Sequence, residues 1–301
     1  MLSPVSSALP TGQVAALGTA LCWAVTGLFF AEAARRIGAL RVNLVRLPTA
    51  LVFLSTALVV THAPFSALDR RGAAYLAASA VVGLVVGDLA LFTAMTRIGP
   101  RLASLVMSLA PLSAGWAGFL ILHERPGPRA LLGMAVTLGG VAWVVAERPE
   151  SGPAARDHGR ALALAVLAAV CQGVGLVLAK LGMAGGVPPL SATWIRMTVA
   201  TATIWALAAA TGRLGGIGIA DAARCAVGPV VGGAFFGPFV GVWLSLVAAH
   251  LTDVGVAATL MATSPVLVIP LVAVTEGFRP TWRTILGTFT AVAGVALLFA
   301  R

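Results

Sequence analysis

Long apolar stretches alternate with short polar breaks along this whole chain, and the pattern predicts ten membrane-crossing helices. About 20 apolar residues make one crossing. The runs fall at about 12–32, 41–61, 73–95, 101–122 and 128–147, then at 159–180, 190–211, 225–249, 254–275 and 281–300. A membrane β-barrel would show alternating polarity instead, and an open sheet cannot satisfy its backbone in lipid. The expected fold class is all-α integral membrane. The longest polar stretch, Glu147 to Arg160, carries Pro149, Gly152 and Pro153, which halt a helix. It predicts a linker over 148–158 between a first unit at 12–147 and a second at 159–300.

The two units repeat one another. Pro111, Gly133 and Gly140 return 154 residues later as Pro265, Gly287 and Gly294, and Gly83 and Gly87 return as Gly237 and Gly241. Nearer the start of each unit the offset is about 150, so that Arg46 answers to Arg196 and Cys22-Trp23 to Cys171-Gln172. Five helices is an odd number, so the second unit enters the bilayer from the opposite face. The expected architecture is a pair of inverted five-helix repeats with a pathway between them, near the midplane.

Composition agrees with a membrane setting. The 301 residues are 59% hydrophobic and 10% charged, with mean hydropathy +0.99. A soluble domain carries roughly 25% charged residues, too many for this chain to match. The net charge of +10 is spread singly or in pairs between apolar runs, where it anchors helix ends rather than binding nucleic acid. Twelve cations flank the ends of odd-numbered spans and six lie on the other side, so the positive-inside rule alone places both termini outside the cytoplasm. The first eleven residues lack the positive n-region of a signal peptide, so the first span is expected to be retained. Cys22, Cys171 and Cys225 have neither metal-like spacing nor a CxxC and read as small buried side chains.

Polar residues inside apolar runs are the candidates for chemistry. Asp88 stands near the middle of the third span, where a carboxylate costs roughly 3 kcal/mol even on lenient scales. It reads either as a proton or cation site, or as half of a structural ion pair, with Arg46 the natural partner. Arg46 and Arg196 hold matched places in the second and seventh spans, following Asn43 and Trp194. If both point inward they favour a carboxylate or other anionic substrate; the alternative is that both snorkel to headgroups. Trp23 and Gln172 form the aligned pair in the first and sixth spans, and Trp243 stands beside Val242, the position that answers to Asp88. Glu32 and Lys180 end the first and sixth spans, as a gate pair or as solvated caps. Gly233, Gly237 and Gly241 form a stripe for close helix packing, and Pro238, Pro265 and Pro270 are expected to bend their helices.

Enzyme classes find no support. HExxH is absent, His62, His123, His158 and His250 are scattered, and no phosphate-binding glycine loop is present. No cofactor is expected.

The segment FTAMTRIGPRLASLVMSLAPLSAGWAGFLILHERPGPRALLGMAVTLGGVAWVV, Phe92 to Val145, joins a basic link, a proline-bearing helix, a Glu-Arg turn and a glycine-rich helix. Leu246 to Phe299 repeats the order with Pro265, Glu276, Gly287 and Gly294. Two such copies resemble the EamA-type repeats of the ten-helix drug/metabolite transporters. The copies differ in one respect: Glu124 lies 9 residues before Gly133, and Glu276 lies 11 before Gly287.

The resemblance implies an inner-membrane carrier, working as a monomer, whose first and sixth helices line a central cavity. It also implies cytoplasmic termini, against the arginine count. The expected function is alternating-access transport of small organic metabolites, amino acids or similar compounds, in the direction of export. Either the substrate gradient or protons, through Asp88, would drive it. Alternatives are a proton-coupled multidrug exporter, a lipid-linked sugar flippase and, in another class, a non-transporting membrane sensor or assembly partner.

Overall fold

The computed structural model describes residues 11–37, 39–62, 68–147, 158–212, 219–264, 266–267 and 281–299. Among these residues the chain forms ten helical rods and no strand. The first two are α1 (Thr11–Ile37) and α2 (Ala39–Thr61). The third is continuous through α3 (Arg70–Ser79), a π-helical segment π1 (Ala80–Gly87) and α4 (Asp88–Met107). The fourth and fifth are α5 (Ala110–Leu122) and α6 (Pro128–Glu147), and the sixth and seventh α7 (His158–Met183) and α8 (Pro189–Ala210). The eighth runs through α9 (Ile219–Ala234), a second π-helical segment π2 (Phe235–Gly241) and α10 (Val242–Leu251). The ninth begins with α11 (Val254–Met261), and the tenth is α12 (Trp282–Phe299). Four stretches are both long and apolar enough to cross a bilayer: Arg41–Thr61, Arg70–Met95, Gly159–Met183 and Val227–Leu251.

Most helix ends follow local chemistry. Asp69 caps α3 through the Gly72 amide at 2.6 Å, and Pro188 and Pro189 open α8. One boundary differs from the pattern reading. Helical residues continue past Gly99 and Pro100 to Met107, and the break comes at Ser108 and Leu109, just before Pro111 in the first turn of α5. A proline is well placed in a first turn, where its missing N–H costs nothing. The linker core and the expected bends at Pro265 and Pro270 lie outside the described residues.

The first helix of each repeat is exchanged into the other repeat. Helix α1 runs antiparallel along the eighth rod: Gly12 sits against Leu251, Gly18 against Leu244, Trp23 against Gly241, Thr26 against Gly237 and Phe30 against Gly233. In the same way α7 runs along the third rod, with Gly182 on Leu76, Gly175 on Gly83 and Cys171 on Gly87. Glycines make these approaches possible, because dispersion between close backbones is the main force holding helices together in lipid.

The last helix of each repeat packs on its counterpart. A Cβ on Gly140 would stand 2.4 Å from the Ala291 nitrogen, and one on Gly294 would stand 2.4 Å from the Thr137 nitrogen. The seam therefore has no room for a methyl group on either side. Gly140→Val is expected to force α6 and α12 apart and cost about 1–3 kcal/mol. A fall in the thermal unfolding midpoint of the purified protein checks this; an unchanged midpoint contradicts the packing.

The two π-helical segments occupy matched places, each ending at a glycine one position before Asp88 or Val242. A π turn inserts one extra residue into the ladder and re-aims everything after it. In π2 it also accommodates Pro238, which has no amide hydrogen to donate. The repeated glycine pairs Gly83/Gly87 and Gly237/Gly241 mark both segments.

Candidate functional site

Where the exchanged helices pass the π segments, four polar side chains from four different rods come together. The π1 segment delivers Asp88 at the first position of α4, facing α2 and α7 rather than lipid. Its Oδ2 accepts from the Arg46 guanidinium at 2.5 Å. Its Oδ1 accepts from Gln172 Nε2 at 3.0 Å. The same amide nitrogen donates to the Gly83 carbonyl at 3.3 Å, a π1 carbonyl within reach of a side chain on α7. Above the ion pair, the Phe30 ring lies 5.2 Å from the Arg46 carbon Cζ, a cation–π distance.

Arg196 completes the group from α8. It is 4% exposed, and a Cβ on Gly83 would stand 3.6 Å from its terminal nitrogen. Its Nε has no hydrogen-bond partner. The depth of both arginines is fixed by tryptophans bridging α2 and α8. Trp194 Nε1 donates to Ser55 Oγ at 2.9 Å, and Trp205 Nε1 to the Leu44 carbonyl at 3.1 Å. Both guanidiniums are buried, so neither snorkels. Asn43, one turn before Arg46, is buried on the same helix.

An aromatic wall adjoins the charges. Phe53 on α2 meets Phe235 and Phe239 of π2 at 5.4 and 5.7 Å, Phe239 stacks on Trp243 at 6.5 Å, and Phe29 stacks on Phe236 at 6.2 Å. Trp243 thus belongs to the wall, while Trp23 is wedged against Gly241 and partly exposed. The phenylalanines carry no sequence signal, since apolar aromatics are common throughout a membrane bundle.

A second polar cluster, a latch between the repeats, lies at the face that bears the start of α1 and the ends of α7 and α10. Lys180 Nζ donates to Glu124 Oε1 and to the Thr252 carbonyl, both at 2.7 Å. Glu124 Oε2 accepts from the Val254 amide at 2.7 Å, so a carboxylate from the first repeat caps α11 of the second. This is favourable, because a negative group at a helix N-terminus meets unpaired amides and the positive end of the helix dipole. The αL conformation of His123 (φ 57°) turns the chain so that Glu124 points back.

Glu32 and Lys180 read from the sequence as a gate pair or as solvated caps, and in the structure the Lys180 amine bonds Glu124. Gly12 at the start of α1 touches Thr252, which also accepts from Lys180. Glu32 lies 20 residues further along α1, about 30 Å away at ~1.5 Å per residue. The two residues belong to opposite faces, and Lys180 pairs with Glu124.

Asp253 stands beside this latch without hydrogen-bonding the helix it precedes. Burial first, and then the neighbouring Glu124, push its carboxyl above the usual 3.8, while Lys180 pulls it down. His250, in the same turn, is exposed. An acid whose folded pKa is raised binds its proton more tightly in the fold, so stability falls as pH rises through the raised value. Asp253→Asn is therefore expected to raise the melting temperature at pH 7 and to lose that advantage below about pH 4. A flat difference between variant and parent across this range would contradict the assignment.

Among the described residues no three His, Cys, Asp or Glu side chains cluster to hold a metal ion. Cys22 and Cys171 are free thiols.

Comparison with known proteins supplies the remaining identification. No curated protein matches the chain. A solved crystal structure superposes with TM-score 0.78 over 96% of each chain at 19% identity, a likeness of fold. The model of the EamA-like transporter family matches residues 10–146 and 159–300, both repeats and nearly the whole length. The chain belongs to the EamA-like transporter family of the drug/metabolite superfamily, multi-pass membrane proteins that move small molecules.

Proposed function

We propose that the chain is a secondary carrier of small organic metabolites, amino acids or similar carboxylate-bearing compounds, working by alternating access in ten spans. The supporting observation is the convergence of Arg46, Asp88, Gln172 and Arg196 at the crossing of the exchanged helices. Ionisable groups are expensive in a bilayer and persist there chiefly on transport pathways. The aromatic wall offers an apolar surface beside them, which suits a ligand with a polar head and an apolar body. The latch of Glu124, Lys180 and Thr252 holds one face shut, and its release would open the site to that side.

With the termini in the cytoplasm, as the family resemblance implies, the latched face is cytoplasmic, and export is the direction that resemblance implies. Asp88 serves here as counter-ion to Arg46, and the substrate gradient drives transport. The test is counterflow of labelled amino acids and organic acids in proteoliposomes containing wild type or Asp88→Asn. Saturable counterflow in wild type, reduced at least about tenfold in the variant, supports the reading. Wild-type uptake no faster than in empty liposomes removes it.

A further inference from the structure

The charges of the central site do not balance. Arg46 is committed to Asp88, and Gln172 fills the other carboxylate oxygen. Arg196 is the second guanidinium, is more than nine-tenths buried, and makes no hydrogen bond or ion pair among the described residues. A guanidinium has five N–H donors and stays charged at any physiological pH. Leaving one uncompensated in a low-dielectric interior is strongly unfavourable. Among the described residues the carboxylate whose field reaches Arg196 is Asp88, already hydrogen-bonded to Arg46 and Gln172, which leaves the Arg196 donors open to a ligand's counter-charge.

We propose that Arg196 is the anion subsite of this carrier, and that its ligand is an organic monocarboxylate. The inference rests on the carrier reading above and narrows its substrate class. The described charges of the site, Arg46, Arg196 and Asp88, sum to one net positive charge, so a monoanion neutralises them whereas a phosphate dianion overfills them. A guanidinium fork matches a carboxylate with two parallel hydrogen bonds. The body of the ligand has an apolar lining at hand, since Leu84, Val85, Met197 and Val242 form a buried cluster with Phe239 and Trp243 against it. A zwitterion fits less well, because its ammonium group needs Asp88, and Arg46 already occupies that carboxylate. Within the carboxylate-bearing compounds of the carrier reading, the site thus favours organic acids, with amino acids of the same shape bound more weakly.

The experiment measures binding and transport on the same full-length protein. Thermal stabilisation of purified protein in lipid nanodiscs is titrated with acetate, butyrate and benzoate, and with benzamide, phenylalanine, inorganic phosphate and chloride. At least one monocarboxylate is expected to stabilise wild type, with benzamide and phenylalanine about 30-fold weaker or worse. Arg196→Gln should abolish that stabilisation, and Arg196→Lys should retain part of it. Arg196→Met should melt higher than wild type without ligand, because an uncompensated charge is gone. A structural arginine would show the reverse.

Equal stabilisation by monocarboxylates in wild type and Arg196→Gln overturns the proposal. So does stabilisation by phosphate or chloride alone, or the absence of any monocarboxylate effect on wild type. Counterflow of the same acids separates the two claims. Arg196-dependent binding without counterflow sinks the carrier reading and leaves the subsite. Counterflow unaffected by Arg196→Gln sinks the subsite and leaves the carrier.

Discussion

Replacing Arg46 by Ala should be among the most damaging single changes in this protein, and replacing Asp88 as well should restore much of the lost stability. The guanidinium of Arg46 and the carboxylate of Asp88 are 2.5 Å apart, with side chains only 9% and 15% exposed. Removing Asp88 leaves two buried guanidiniums without the acid between them, and removing Arg46 takes from Asp88 a guanidinium hydrogen-bonded to it, at a cost of about 3–5 kcal/mol for either. Gln172 alone cannot neutralise a carboxylate, although its amide remains bonded to it. The double variant Arg46→Ala/Asp88→Ala removes both charges and should fall well short of the sum of the single effects. Transport should stay lost in all three variants, because Gln172 and Arg196 lose the framework that positions them. Melting temperatures and counterflow rates of the four proteins check this. Additive losses of stability would show that the pair is not coupled.

The second large effect is expected at the latch. Glu124→Gln keeps the shape of the side chain but removes the charge that holds Lys180 and caps α11. Truncating one partner of a partly desolvated charged pair costs about 2–5 kcal/mol. These contacts join the turn after α5, the end of α7 and the turn before α11, and under the proposed alternating-access cycle the loss falls on the state closed at that face. The variant should shift the carrier toward the state open at the latched face. Its counterflow should slow by about tenfold or more, because a carrier held open on one side cycles poorly. Lys180→Met should behave alike, and the double variant little worse than either. Wild-type rates in both single variants would show that the contact is ornamental to the cycle.

Much of this arrangement was legible in the sequence, for identifiable reasons. Ten rods followed from run length and the two repeats from their shared glycines. Asp88, Arg46, Gln172 and Arg196 stood out because a charge or amide inside an apolar run needs a partner. The duplication raised the two arginines further. What the sequence did not disclose depends on distant segments meeting. Glu124 was visible as part of a Glu-Arg turn, but its partners are the amide of Val254 and the amine of Lys180, far along the chain. The glycine stripes were read as close packing, which they provide. Their spacing of four also fits an ordinary α-helix, so nothing in it distinguishes a π turn. Glu32 and Lys180 show a geometric limit on matched residues. Matched positions in inverted repeats lie at opposite faces of the membrane, so residues at matching helix ends cannot meet. Arg46 and Arg196 avoid that limit only because both lie far enough inside their helices to approach the centre.

The exchange of α1 and α7 between repeats has a mechanical consequence. Each repeat is clasped by a helix of the other, so α7 carries both Lys180 of the latch and Gln172, which bonds Asp88. Lys180 and Gln172 are two turns apart on that helix, at ~3.6 residues per turn. In the proposed cycle, release of the latch and rearrangement of the central site would therefore be linked through one continuous helix.

The most direct test of this account is the reactivity of Cys171, beside Gln172 and packed against Gly87 in the core. With Cys22 and Cys171 as the described thiols, Cys22 and Cys225 are replaced by serine. A membrane-impermeant thiol reagent is then applied to either face of vesicles of known orientation. The account predicts labelling of the parent only from the face opposite Glu124 and Lys180, and transfer of that reactivity to the latched face in Glu124→Gln. Equal labelling from both faces of the parent, or no change on releasing the latch, would contradict it.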